Sequence, residues 1–191
     1  MVYKSKITVI GLGPGSPELC SQQALDLIKN VKHVFARTQK HPSSVLLGED
    51  TIYLDHYYES SNSFDDVYSS IVKDLVEAAK KHASILYVVP GSPLVAERTV
   101  QMLLKEAEIE VVVIPGISFL DLAWLHLGID PMERGVRVVD AFQFANEAVG
   151  DRGPFLVAQI YSLDILAEVV ATLHTAPSQQ VTVLQRLGLR D

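Results

Sequence analysis

Three short segments of the 191-residue chain put glycine and proline where a ligand could meet bare main chain: Gly11-Leu12-Gly13-Pro14-Gly15-Ser16-Pro17, Pro90-Gly91-Ser92-Pro93 and Pro115-Gly116. Glycine permits close backbone approach and positive φ, and a helix that opens after such a turn offers N–H groups to an anion. The first segment departs from both familiar phosphate cradles. A dinucleotide fingerprint would need a third glycine at position 16, which is Ser, and an acidic residue at the end of the second strand, where Arg37 stands. A P-loop would need Gly-Lys-Ser/Thr, a tripeptide the sequence lacks. Pro14 also removes one donor N–H. A tight turn alone would account for each segment taken singly. Three of them at strand ends, without a charged triad or a metal set, point to a ligand held by main-chain groups and small side chains, as an adenine nucleoside would be.

The elements that must carry these turns follow from hydrophobic pattern. Residues 6–12 read as a buried strand that stops at the glycines, and residues 17–29 as a helix with Ser16 as N-cap and Pro17 in its first turn. Val31–Ala36 reads as a second strand, and residues 38–50 as a loop with a short helix. Phe64, Val67, Ile71, Leu75 and Ala78 share one face of a helix over 63–81. A strand over 84–89, a helix over 94–107 and a strand over 110–114 complete an alternation that implies a parallel sheet with helices on its faces. Residues 118–127 read as an apolar helix leading out of this domain. Strands over 136–142, 155–161 and 181–185, with a helix over 163–173, then form a smaller α/β unit. The expected domains are 1–116 and 117–191, the second lacking its last strands, so that the chain reads as a piece of a longer product.

Composition limits the partners. Sixteen Lys and Arg against 23 Asp and Glu give a net charge of −7, which disfavours a phosphate backbone as partner. The single Cys20 forms no internal disulfide, and no Cys/His group has zinc spacing, so no metal is expected. The apolar run at the N-terminus is too short for a signal peptide, and no run approaches the roughly 20 residues of a membrane span. The expectation is a cytoplasmic protein.

With GLGPGSP after the first strand, VPGSPLVAER after a later buried strand and VIPGIS opening a helix, the sequence resembles the tetrapyrrole (corrin/porphyrin) methylase family over essentially its whole length. In SFDDVYSSI and SFLDLAWLHLGIDP it is similar to the methylase-like N-terminal domain fused in some bacteria to a MazG-type nucleotide pyrophosphohydrolase. The resemblance implies the tetrapyrrole methylase fold: two α/β domains with S-adenosylmethionine in the cleft between them, and a homodimer. Carried over, Pro14 would lie under the cofactor, and Pro90, Gly91 and Ser92 would form a backbone shelf with Val95 as an apolar wall. Ser118 and Phe119 would touch the cofactor at the domain crossing, Ile160 would close the pocket, and Leu187 would contribute backbone near the adenine.

Two departures bear on chemistry. Many family members carry Gly-Asp-Pro at the second motif, where Ser92 stands here. Enzymes of uroporphyrinogen type resemble one another in an Asp at the end of strand two, where this chain has Arg37. Arg37 and Arg98 are the candidates for a catalytic or acceptor-orienting role, with Lys40 and His41 beside them as either acceptor contacts or solvated loop charges. His56, Tyr57 and Tyr58 are candidate acceptor contacts, with packing as the other reading. The resemblance implies an S-adenosylmethionine-dependent methyltransferase acting on a small, tetrapyrrole-like acceptor. The alternatives are a cofactor-binding regulatory module without turnover, and a methylase of ribosomal RNA ribose or of protein.

Overall fold

The computed structural model describes residues 4–60, 63–149, 153–173 and 181–189. The chain separates into two units: one runs to Ala123 and takes back the residues from Arg186 onward, and the other is Trp124–Gln185. This division cuts the helix Phe119–Leu127, whereas the sequence pattern places its break at 116/117.

In the first unit the strands β1 (Lys6–Gly11), β2 (Val34–Ala36), β3 (Ile52–Tyr53), β4 (Ser84–Val89) and β5 (Glu110–Val113) form one parallel sheet in the order β3-β2-β4-β1-β5. Period-two alternation divides its side chains between two layers. Ile7, Val9, Ile85, Tyr87 and Val89 face one way. They pack against α3 (Phe64–His82), through Val67, Ile71, Val72, Leu75 and Ala79, and against Val100 and Leu103 of α4 (Arg98–Leu103). Ile10, Leu12, Leu86, Val88, Val34 and Ala36 face the other way, toward Ala24 and its neighbours on α1 (Gln22–Asn30). Burial on both faces is why β1 and β4 read as unbroken apolar runs.

Several local expectations are corrected. Ser16 does not cap α1: Pro17–Leu19 is a separate 3-10 turn, and the cap is Ser21, whose hydroxyl accepts from the N–H of Ala24 at 3.2 Å. The second strand begins at Val34 rather than Val31, because Val31 is still closing α1. The helix expected over 94–107 is confined to Arg98–Leu103; Pro93 and Ala96, the latter at φ 57°, keep the preceding residues in a turn. Phe64 is exposed, and Ala79 rather than Ala78 is the fully buried alanine of α3.

The second unit is built around β6 (Arg137–Asp140) and β7 (Phe155–Ala158), paired in parallel and covered by α7 (Phe144–Glu147) and α8 (Leu163–Thr172). Val139, Ala141, Phe144, Ile165 and Val169 form its core, with Phe155 edge-on to Phe144 at 5.6 Å. α5 (Phe119–Leu127) leads into it, and the short α6 (Pro131–Arg134) is capped by the Asp130 carboxylate and closed by Gly135 in the left-handed region. The strand expected over 181–185 is not formed: its residues make no ladder among the described residues, and Val181 and Val183 are exposed. An alternating pattern becomes a strand only where a neighbour supplies hydrogen bonds. No helix among the described residues is long and apolar enough to cross a membrane.

The two serines give a direct test of the helix start. Ser21→Ala should cost about 1 kcal/mol in urea unfolding by loss of the cap, while Ser16→Ala, which removes no capping bond, should cost much less.

Candidate functional site

At the carboxyl ends of the three adjacent strands β4, β1 and β5 the glycine turns close on one another. A Cβ added to Gly11 would fall 2.0 Å from the carbonyl oxygen of Gly91, and one added to Gly116 would lie 3.2 Å from the same oxygen. Gly13 and Gly91 exchange backbone bonds, the N–H of Gly91 donating at 2.8 Å and that of Gly13 at 3.3 Å. Gly91 itself sits at φ 63°, and a Cβ built on it would meet nothing within 4 Å. Its main chain therefore faces open space on the side where a Cβ would stand, and a ligand can lie against Gly91 there. This is the feature that fits a nucleoside-bearing cofactor held by backbone, and Val95, half-buried one turn on, is placed to border it.

Of the other candidates, Pro14, Leu187, Ser118 and Phe119 belong to the same unit as these turns. The carbonyl oxygen of Gly188 accepts from the N–H of Ser16 at 3.0 Å, which brings the turn containing Leu187 against the loop containing Pro14. Ser118 is buried, and its hydroxyl accepts from the N–H of Leu120 while its own N–H donates to the Asp121 carboxylate. Its side chain is thus engaged in starting α5, with Phe119 as the first helical residue. Ile160 follows β7 in the second unit, just past Gln159 at φ 67°.

The loop after β2 is tied to the first glycine turn from below. Ser43, fully buried, donates its hydroxyl to the Gly15 carbonyl at 2.6 Å. His41 caps the 3-10 turn Pro42–Leu46 by accepting from the N–H of Ser43 at its Nδ1, 3.2 Å away. Burial holds the His41 ring below the ordinary imidazole range, and a hydrogen bond to the Gly13 backbone opposes this. His41 is therefore a support of the glycine turn rather than a solvated loop charge.

Arg37 emerges from β2 into a fixed setting. Its Nη1 donates to Glu97 at 2.6 Å, its Nε donates to the Tyr58 hydroxyl at 3.2 Å, and the guanidinium lies 5.6 Å from the centre of the Tyr58 ring. Burial works against the charge on Arg37, but the Glu97 carboxylate and Tyr58 outweigh it, and Arg37 is held more firmly protonated than usual. Glu97, only 6 % exposed, is pushed upward by burial and drawn back by Arg37. The sequence pattern did not single out Glu97; its one signal was an acid beside Arg98 in a segment that is otherwise apolar.

Arg37 also lines a cavity of about 240 Å³ together with Thr38, Lys40, Asp55, Tyr58, Glu59 and Pro90. The run His56-Tyr57-Tyr58 lies on the short helix α2 (Asp55–Ser60) rather than in a loop. Of the three, Tyr58 reaches the cavity, whereas the Tyr57 hydroxyl donates to Asp74 of α3 and is held up to about 12 by burial and by that carboxylate. His56 packs its ring on Tyr57 at 4.2 Å. Arg98 is exposed at the first turn of α4 and is not among the residues that line the cavity. No group of three or more His, Cys, Asp or Glu among the described residues could hold a metal ion.

The family model described as Tetrapyrrole (Corrin/Porphyrin) Methylases matches residues 6–191. The chain is 36% identical over 174 residues to the uncharacterized protein YabN of Bacillus subtilis (strain 168), an alignment that covers 88% of this chain and 35% of that protein, so the chain spans about a third of its relative. Among solved structures it is similar in fold to the cobalamin biosynthesis precorrin-6Y methylase of Archaeoglobus fulgidus, with TM-score 0.61 and 17% identity over 80% of this chain and 72% of that one. It is likewise similar to the uroporphyrin-III C-methyl transferase of Thermus thermophilus complexed with S-adenosyl homocysteine, with TM-score 0.54 and 22% identity over 71% of this chain and 59% of that one.

The neutral His41 ring gives the site a pH signature. Its contribution is complete above the ordinary value of 6.5 and is lost as pH falls through the lowered one, because a proton on Nδ1 would face the N–H of Ser43. His41→Asn keeps a capping acceptor without titrating, so the wild type should lose more stability than this variant between pH 7.5 and 5 in chemical unfolding.

Proposed function

Because the chain belongs to the tetrapyrrole (corrin/porphyrin) methylase family, we propose that it binds S-adenosylmethionine and transfers its methyl group to a small, tetrapyrrole-like acceptor. The observation that carries this reading is the open main chain at Gly91, fixed by its bonds to Gly13 and flanked by the other two glycine turns. When bound, S-adenosylmethionine supplies an electrophilic methyl group that needs alignment with a nucleophile more than it needs acid or base catalysis.

In this reading the chain's own residues do three things. Pro90, Gly91 and Ser92 give the ligand a backbone surface, and Pro14, Val95, Ser118, Phe119 and Leu187 border it, with Ile160 included on sequence resemblance alone. Arg37 and Arg98 are the candidates for orienting the acceptor, Arg37 rigidly and Arg98 from an exposed position. Tyr58, at the cavity, is a better acceptor contact than His56 or Tyr57. Fusion to a MazG-type pyrophosphohydrolase domain and assembly as a homodimer belong to the same reading and rest on the resemblance in sequence.

A regulatory module that binds the cofactor without turnover is the second reading, favoured by the absence of a carboxylate at Ser92 and at Arg37. Calorimetric titration with S-adenosylmethionine should show binding that Gly91→Val weakens at least tenfold, while Gly48→Val, at a site where a Cβ meets nothing within 4 Å and φ is ordinary, leaves it unchanged. No binding by the wild type would remove both readings. Labelled methyl transfer to porphyrinogens then separates them, and Arg98→Ala should reduce transfer without altering cofactor affinity if Arg98 orients the acceptor.

A further inference from the structure

The cavity beside Pro90 is lined by charges of both signs, of which the methyl-transfer reading uses only Arg37. Arg37 presents a cation whose position is fixed by Glu97 and Tyr58, yet these partners use only its Nη1 and Nε, and its side chain remains 33% exposed. A guanidinium has five N–H donors, so donors remain for a ligand carboxylate in a fixed fork. Across the same cavity stand two carboxylates of α2. Asp55 is held in place by the Thr38 hydroxyl at 2.6 Å and the Gln39 N–H at 2.8 Å, and Glu59 lies 3.6 Å from Lys40 in an exposed pair.

Lys40 and Glu59 offset one another, and Arg37, paired with Glu97, lines the same cavity as Asp55. A polyanion entering such a cavity would meet as many negative charges as positive ones, and like charges brought side by side repel. The volume points the same way. About 240 Å³ is below the roughly 300–1,000 Å³ of pockets that enclose drug-sized ligands, so the cavity takes a small headgroup or one arm of a larger acceptor rather than a whole macrocycle.

We propose that this cavity binds the headgroup of an α-amino acid, with its carboxylate on the Arg37 guanidinium and its ammonium on the Asp55 and Glu59 carboxylates. Glu97 and Tyr58 act as positioning residues for Arg37. Such a headgroup can come from a free amino acid acceptor or from the methionine end of S-adenosylmethionine, and the chemistry recognised is the same. The assignment rests on the charges and size of the cavity and does not depend on methyl transfer.

Titration of the full chain with L-methionine, N-acetyl-L-methionine and L-methioninamide tests it. L-Methionine should bind, and capping either end should weaken binding at least tenfold. Arg37→Gln should abolish the difference between L-methionine and its amide, and Glu59→Gln should narrow that between L-methionine and its N-acetyl form. The comparison of capped ligands on the wild type stands even where a variant does not fold. If S-adenosylmethionine excludes L-methionine while 5′-methylthioadenosine does not, the headgroup is the cofactor's; if S-adenosylmethionine and L-methionine bind together, it is the acceptor's. The proposal is overturned if L-methionine does not bind, if the capped forms bind within twofold of it, or if citrate displaces it at equal concentration.

Discussion

The carbonyl oxygen of Gly91 lies where a side chain of residue 11 would begin. Everything at the carboxyl edge of the sheet follows from that contact. β1 can run between β4 and β5 and still have its exit turn cross the exit turn of β4 only because Gly11 carries no Cβ, which would fall on the Gly91 carbonyl. The exchange of bonds between Gly13 and Gly91 satisfies main-chain groups that the crossing would otherwise bury unpaired. The turn of Gly91 is thereby held in a left-handed conformation, with its outer side bare. A bare main-chain surface at Gly91 is a by-product of packing the end of β1 against the β4 turn too closely for a side chain at residue 11.

A second constraint ties the outer strands to this edge. The pairing of Arg37 with Glu97 joins the end of β2 to the start of α4, on either side of the β4 turn. Buried ion pairs of this kind return little net stability, because both ions lose water. Their effect is positional: the guanidinium cannot relax toward solvent while its partner is 6 % exposed. Beneath it, the Tyr87 and Thr99 hydroxyls are buried side by side, and burial holds the Tyr87 phenol well above its ordinary range.

The sheet and its order of elements were legible because β1 and β4 are buried on both faces and so carry uninterrupted apolar runs, and because each ends at a glycine or proline that leaves no ambiguity about where it stops. The helix after the second turn is shorter than its residue types suggest for a related reason. Leu94, Val95 and Ala96 have helical character, but Ala96 adopts a positive φ that no propensity would assign to alanine, and the turn continues to Glu97. The strand pattern at 181–185 failed because alternation describes a strand's faces and says nothing of whether a neighbour exists to pair with it. Glu97 and Asp55 were invisible as site residues, since their importance lies in partners 60 and 16 positions away along the chain. The turns around the candidate cofactor surface could be read from local residue types, whereas the charges of the cavity could be read only once β2, α2 and β4 had been brought side by side.

That distinction bears on how the edge works. A surface made of main chain is insensitive to the side chains around it, so exchange of a carboxylate for Ser92 leaves its shape intact and changes only the charge beside it. Charge at this edge is supplied instead by pairs, each cation carrying its own anion: Arg37 with Glu97, Lys40 with Glu59. An unpaired cation would attract any anion, and in a chain of net charge −7 its field would be weakened by the surroundings in any case. A paired cation with donors left over responds instead to geometry, since a ligand must bring an oxygen to the unused N–H groups and something positive to the neighbouring carboxylates. Arg98, exposed and outside the cavity, lacks that restraint, which is why the two arginines that look equivalent in the sequence are physically different groups.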